Sequence, residues 1–385
     1  MLLSLGIIFI FGLMIDKVFK KINIPSLIGY LFLGILLGPE MFKVLDENLL
    51  IISTEMRQVV LIVILTRAGL SLNFDDLKKV GLPAFLLSFL PATFEILAVI
   101  VFAPKLLGLS IIDAALLGTI LSAVSPAVVA PRMINFIKHK KGTDKGIPQL
   151  ILAGASVDDI YALVLFTSFL SISLGETFKM THLLQIPVSI ISGVAVGILF
   201  GIFLNKLFKS TKTSSFNQML ILLSVSFILV SIENIFTFSG ILAVMSMAFM
   251  ININNPQNAQ KLQHIYNKLW IPGEILLFVL VGSSVNISYA FSQGLIPIIL
   301  ILIALVIRMF GVWISVLPTK LSFKEKLFVM VSYTPKATVQ AAIGSIPLSM
   351  GLESGALILT VSVLAILITA PLGAIGIDLS ADTLI

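Results

Sequence analysis

Apolar residues run along this chain in blocks of about twenty, broken by short clusters of Lys, Asp, Asn, Pro and Gly. LLSLGIIFIFGLMI, ahead of Asp16, and ALILTVSVLAILITAPLGAIG, after Gly355, show the pattern. A helix rising 1.5 Å per residue needs about 20 residues to cross a hydrocarbon layer about 30 Å thick. The breaks predict thirteen helical spans, near 2–16, 25–38, 54–72, 82–103, 111–137, 148–172, 187–207, 217–235, 238–252, 272–289, 295–317, 323–348 and 355–376.

Composition agrees with the blocks. The chain is 58% hydrophobic and 11% charged, with a mean hydropathy of +1.11, whereas a soluble domain carries roughly 25% charged residues. The expected class is an all-α polytopic membrane protein, with 1–385 forming one membrane domain. The first block lacks the basic start and small-residue cleavage site of a signal peptide and reads as a span. There are no cysteines, which excludes disulfides and thiolate metal sites. A net charge of +6 reads as basic loops rather than a nucleic-acid partner.

The loops carry an orientation, because Lys and Arg are retained on the cytoplasmic side. With the N-terminus outside, eighteen Lys and Arg residues fall on inner segments and four, Lys43, Arg57, Lys105 and Lys179, on outer ones. The expectation is a multi-pass protein of the cell (inner or plasma) membrane, N-terminus outside and C-terminus cytoplasmic.

An odd number of spans with opposed ends invites a search for inverted repeats. SLIGYLFLGILL (26–37) resembles SGILAVMSMAFM (239–250), and GLSLN (69–73) resembles GSSVN (282–286), both at an offset of 213; SPAVV (125–129) resembles TPKAT (334–338) at 209. Repeat one would span about 1–175, a linker helix 187–207 and repeat two 215–378. Such halves characterise transporters that bind near the midplane and alternate access.

Against this apolar background a few polar residues are costly. Asp158 and Asp159 fall mid-span in GASVDDIYALVLF. A charge at that depth costs about 3 kcal/mol on insertion scales unless it meets water or a partner. Adjacent positions point about 100° apart on a helix, so one carboxylate can pair with a fixed cation while the other faces an ion path. SAVSPAVVAP places Pro126 and Pro131 inside the fifth span, and YTPKATVQ places Pro335 with Lys336 and Thr338 inside the twelfth. Proline removes a backbone donor and frees a carbonyl. The matching positions predict a crossed pair of broken helices whose carbonyls face a small cation, with Lys336 offsetting the negative helix ends. Glu95 and Arg308 are 213 apart and opposite in charge, which points to a buried pair; Arg308 can equally reach Asp158. Arg67 reads as snorkelling to the inner interface, and Glu233 as interfacial or part of a dimer contact.

These features together resemble the monovalent cation/proton antiporter superfamily, most closely its NHA branch of sodium/proton exchangers. SVDDI, SPAVVAP, PKATVQAAIGS and Arg308 carry the likeness, and RAGLSLN and IPSLIGYLFLGILLGP fit it. The resemblance implies thirteen helices, a six-helix core domain moving against a dimerisation domain, and a homodimer. It implies Asp159 as the main ion and proton carrier, Asp158 as its partner, and Ser125 and Ser156 near the ion. Sodium or lithium would bind at Asp159 and Asp158 and exchange for protons, with no cofactor and no enzymatic step. Arg308 stands where many bacterial members have lysine. A sodium-coupled organic solute carrier of similar architecture is the alternative. An intramembrane aspartyl protease fits less well, since its two aspartates lie on facing helices.

Overall fold

A computed structural model describes residues 1–21, 24–71, 74–174, 180–211, 213–236 and 238–385. Among the described residues every regular element is a helix. Among these residues nine helices are long and apolar enough to cross a membrane, and Ser26–Leu37 and Gly240–Asn254 are shorter apolar helices. Each expected span overlaps a helix, but the fourth is interrupted between Leu87 and Leu90, the tenth breaks after Ser283, and the ends of others move. The first runs on to Lys21, the seventh occupies Met180–Ser210, the tenth begins at Pro256 rather than near 272, and the last continues to Leu384. Hydropathy marks the stretch that sits in hydrocarbon, whereas the hydrogen-bond ladder continues through polar turns beyond it.

The twelfth span departs furthest. It is divided into Phe323–Ser332, Thr338–Ile343 and Ile346–Ser349. The fifth is divided once, into Ile111–Ser122 and Pro126–Lys138. Pro126 starts the second piece, where a missing N–H costs nothing, and Pro131 is carried inside it without a second break.

The chain divides into two compact units. The first comprises Met1–Thr54, Asp75–Glu176 and Ile275–Ile385. In it Ile111–Ser122 is buried continuously from Ala114 to Ser122. Leu90–Leu107 and Ile296–Val316 run against each other, close enough that a Cβ on Gly311 would lie 2.8 Å from Pro91 Cα. A Cβ on Gly282 would strike the Leu31 carbonyl, and one on Gly34 the Val279 carbonyl, so Ser26–Leu37 and the last turns of Pro256–Ser283 also meet backbone to backbone.

The second unit comprises Glu55–Phe74 and Thr177–Glu274. Its seam is glycine. Gly193, Gly197 and Gly201, one per turn of Met180–Ser210, face the backbone of Gly240–Asn254 and its cap: added Cβ atoms would lie 2.6 Å from the Ser239 carbonyl oxygen, on the Ala243 carbonyl, and 2.7 Å from the Met247 carbonyl oxygen. Gly69 meets the Met245 carbonyl in the same way. Arg67 lies over the Trp270 ring at 4.9 Å instead of simply reaching an interface. Glu233 accepts the Gly240 N–H at 2.8 Å and caps that helix start.

Candidate functional site

Two unwound segments, 123–125 and 334–337, interrupt the two broken helices of the first unit. They touch: the Ser125 N–H donates to the Pro335 carbonyl at 2.8 Å. A helix ending inside hydrocarbon leaves its last four carbonyls without intrahelical donors. Here three side chains take them. Gln340 Nε2 donates to the carbonyls of Ile120 and Ala123, each at 2.9 Å. Lys336 Nζ donates to Leu121 O at 2.5 Å, and Arg308 Nη1 donates to Ser122 O. The carbonyls expected to face an ion are therefore engaged by protein donors, because a buried acceptor left unpaired costs more than a long side chain spends in reaching it.

The same cations hold the carboxylates. Arg308 does not choose between Glu95 and Asp158: Nη1 lies 3.0 Å from Glu95 and Nη2 lies 2.8 Å from Asp158, with all three side chains fully buried. Lys336 Nζ approaches both Glu95 oxygens, at 2.7 and 2.8 Å. Two carboxylates thus face two cations, which removes most of the penalty for burying either sign alone. Asp158 Oδ2 also accepts the Val124 N–H at 3.0 Å, so this carboxylate pins the unwound segment as well as the guanidinium. The Lys336 N–H is held by the Thr369 hydroxyl at 3.0 Å.

Asp159 stands apart. It is next to Asp158 on Ile147–Ser173 but faces elsewhere; Oδ1 is buried with no hydrogen-bond partner, and among the described residues no salt bridge reaches it. Other oxygens around the crossing are likewise buried and unpartnered: Asp158 Oδ1, Ser125 Oγ, Thr338 Oγ1, Gln340 Oε1 and the Tyr333 hydroxyl. Ser125 caps Pro126–Lys138 in position only, since its side chain makes no capping bond. The side chain of Ser156 lies outside the described residues.

Of the residues singled out from sequence, Asp158, Glu95, Arg308, Lys336, Ser125, Pro126, Pro335 and Thr338 come together at or beside the crossing. Gln340 and Tyr333 share motifs already noted, but nothing in the sequence distinguishes the amide that caps a helix end from one that lines a path. Thr369 gave no signal at all. A lone threonine in an apolar span ordinarily bonds its own helix, and this one does that too, donating to Ala365 O at 2.7 Å.

The comparisons with known proteins converge. The family model described as "Sodium/hydrogen exchanger, transmembrane" matches residues 5–379. Sodium/hydrogen exchanger 9B2 of Xenopus tropicalis is 33% identical over 392 residues, covering 96% of this chain and 72% of its own. Sodium/hydrogen exchanger 9B1 of Homo sapiens is 32% identical over 398 residues, covering 97% and 76%. The sodium proton antiporter MjNhaP1 from Methanocaldococcus jannaschii superposes with a TM-score of 0.86 at 19% identity, covering 99% of this chain and 97% of that one, and so shares the fold. With a broken-helix crossing, an adjacent aspartate pair within an apolar helix and a family match over nearly its whole length, the chain belongs to the sodium/hydrogen exchanger family, in its NHA-type branch.

Proposed function

We propose that this exchanger works by competition at Asp159, where sodium or lithium and a proton displace one another as the site is presented alternately to the two sides. One observation carries the reading: Glu95 and Asp158 are matched by Arg308 and Lys336, whereas among the described residues no salt bridge reaches Asp159, the neighbour of Asp158 on the same helix. A bare carboxylate is costly in hydrocarbon, whereas one loaded with a proton or a hard cation is nearly neutral. Only loaded sites then cross cheaply, and exchange follows without a cofactor. Hard oxygen ligands suit such cations, and Asp159 with the free oxygens of Asp158, Ser125 and Thr338 supplies them.

Arg308 also bears on stoichiometry. A lysine at that position could release a proton during the cycle, but a guanidinium stays charged at any physiological pH. It holds Asp158 ionised by direct pairing, leaving Asp159 alone to load and unload, so we expect electroneutral exchange of one proton per sodium.

Thirteen crossings, an outside N-terminus, a plasma-membrane location and a homodimer complete the reading. The inverted repeat is supported by residues at equivalent positions that meet each other. Glu95 and Arg308, 213 apart, form a pair, as residues near a pseudo-two-fold axis would. Gly282 seats on the Leu31 carbonyl, and its equivalent Gly69 seats on Met245, within one residue of the position the offset specifies.

The test is sodium-dependent proton movement in liposomes holding the purified protein and no organic solute. Asp159→Asn, close to constant in volume, should leave a folded protein without exchange. Robust exchange by that variant would overturn the assignment.

A further inference from the structure

Arg308 makes its contacts from a seat, and that seat is Tyr333. The Tyr333 carbonyl accepts Arg308 Nε at 3.0 Å, and the ring centroid lies 5.7 Å from the guanidinium carbon. Tyr333 is fully buried at the end of Phe323–Ser332, and its hydroxyl has no hydrogen-bond partner. Such a hydroxyl costs free energy and calls for a reason. Its position supplies one. A Cβ built on Gly154 would fall on the Tyr333 hydroxyl oxygen, 2.8 Å from Leu87 Cβ and 3.4 Å from Tyr333 Cζ. Gly154 lies one turn before Asp158 on the same face of Ile147–Ser173. The tyrosine tip therefore abuts the bare backbone of the aspartate helix, while its carbonyl and ring hold the cation that pairs with Asp158.

We propose that Tyr333, seated on Gly154, is a positioning residue that keeps the Arg308 guanidinium on Asp158 and thereby limits the exchanger to one proton per cycle. This rests on the reading that Asp159 alone loads and unloads. The length of the tyrosine sets the spacing between Phe323–Ser332 and the aspartate helix, and glycine at 154 sets how closely the tip can approach. Widening that gap moves the Tyr333 carbonyl and ring, and the guanidinium with them. Asp158 then loses a partner and becomes able to carry a proton of its own.

The experiment uses the full chain in proteoliposomes under an imposed membrane potential, with no ion or pH gradient. In the wild type the potential alone should drive no sodium-dependent proton movement. In Gly154→Ala it should, with the sodium KM raised on the order of tenfold, the scale of coupling within one contact network. Tyr333→Phe should change both readouts far less. Gly154→Ala/Tyr333→Phe should recover part of the loss, because removing the hydroxyl leaves the ring carbon at 3.4 Å from the new methyl, while the 2.8 Å approach to Leu87 Cβ remains. A Gly154→Ala protein that is only less heat-stable, still insensitive to potential and with a wild-type KM, overturns the proposal. A double variant no better than the single one overturns it too. If Gly154→Ala does not fold, Tyr333→Leu, which removes ring and hydroxyl, must become potential-sensitive; insensitivity there counts against the seat. Potential-driven movement in the wild type would instead defeat the one-proton reading, and the seat would then stand or fall on the rescue of KM alone.

Discussion

The broken-helix crossing of the first unit and the glycine seam of the second both bring backbone close to backbone, by opposite means. At the crossing, Gln340, Lys336 and Arg308 reach across to four consecutive carbonyls, and two carboxylates balance the two cations. Along the seam, Gly193, Gly197 and Gly201 simply leave room for the carbonyls opposite, with no ionisable group among them. Interlocked surfaces resist any change of volume. Ion pairs and side-chain caps, by contrast, can be re-formed with other partners when a cation or proton arrives. The proposed site lies where contacts are exchangeable, and the rigid seam has none to exchange.

Removing the titrating oxygen should give the largest effect. Asp159→Asn is expected to reduce exchange to background with thermal stability retained, and Asp158→Asn to impair it less. Under the proposed competition for one carboxylate, the apparent sodium KM of the wild type should rise as pH falls, while the rate at saturating sodium changes little. A falling maximal rate at constant KM would mean that the two do not share a site.

The charge-balanced group comes next. Glu95→Gln should destabilise by about 3–5 kcal/mol, the cost of leaving buried cations unpaired. Which second change repairs it tests the geometry. Glu95→Gln/Lys336→Met leaves the Arg308–Asp158 pair whole and should recover more stability than Glu95→Gln/Arg308→Met, which strands Lys336 and Asp158. Equal recovery in thermal unfolding would mean that the two cations are not divided as the distances indicate.

At the seam, Gly197→Ala drives a methyl into the Ala243 carbonyl. Overpacking of this kind costs about 1–3 kcal/mol, and exchange per folded molecule should be kept. Loss of exchange without loss of stability would erase the contrast between the two regions.

The smallest effect belongs to the basic end of the first unit, where Arg132 meets Asp378 with two bonds of 2.9 Å but Asp378 remains 46% exposed. Arg132→Ala should cost less than about 1 kcal/mol, since solvent already screens the pair, and salt should shrink the difference further.

Much of this molecule was legible in one dimension. Blocks of apolar residues specify membrane-crossing helices, because within hydrocarbon a backbone can satisfy itself only locally or in a closed barrel. Asp158, Asp159, Glu95, Arg308 and Lys336 announced themselves by being too costly to bury without purpose, and the shared offset offered Glu95 as a partner for Arg308 while leaving Asp158 open as the other. Helix ends were less legible, since hydropathy follows the membrane and not the hydrogen-bond ladder. Only the tertiary structure decided that Arg308 binds Glu95 and Asp158 together, that Lys336 shares Glu95, and that Gln340 closes the helix end. It alone put Tyr333 on Gly154, and Gly197 on Ala243. The reason is physical: the cost of burying a charge is a property of the residue and can be read from a string, whereas the partner that relieves that cost is a neighbour in space, often more than a hundred and fifty positions away along the chain.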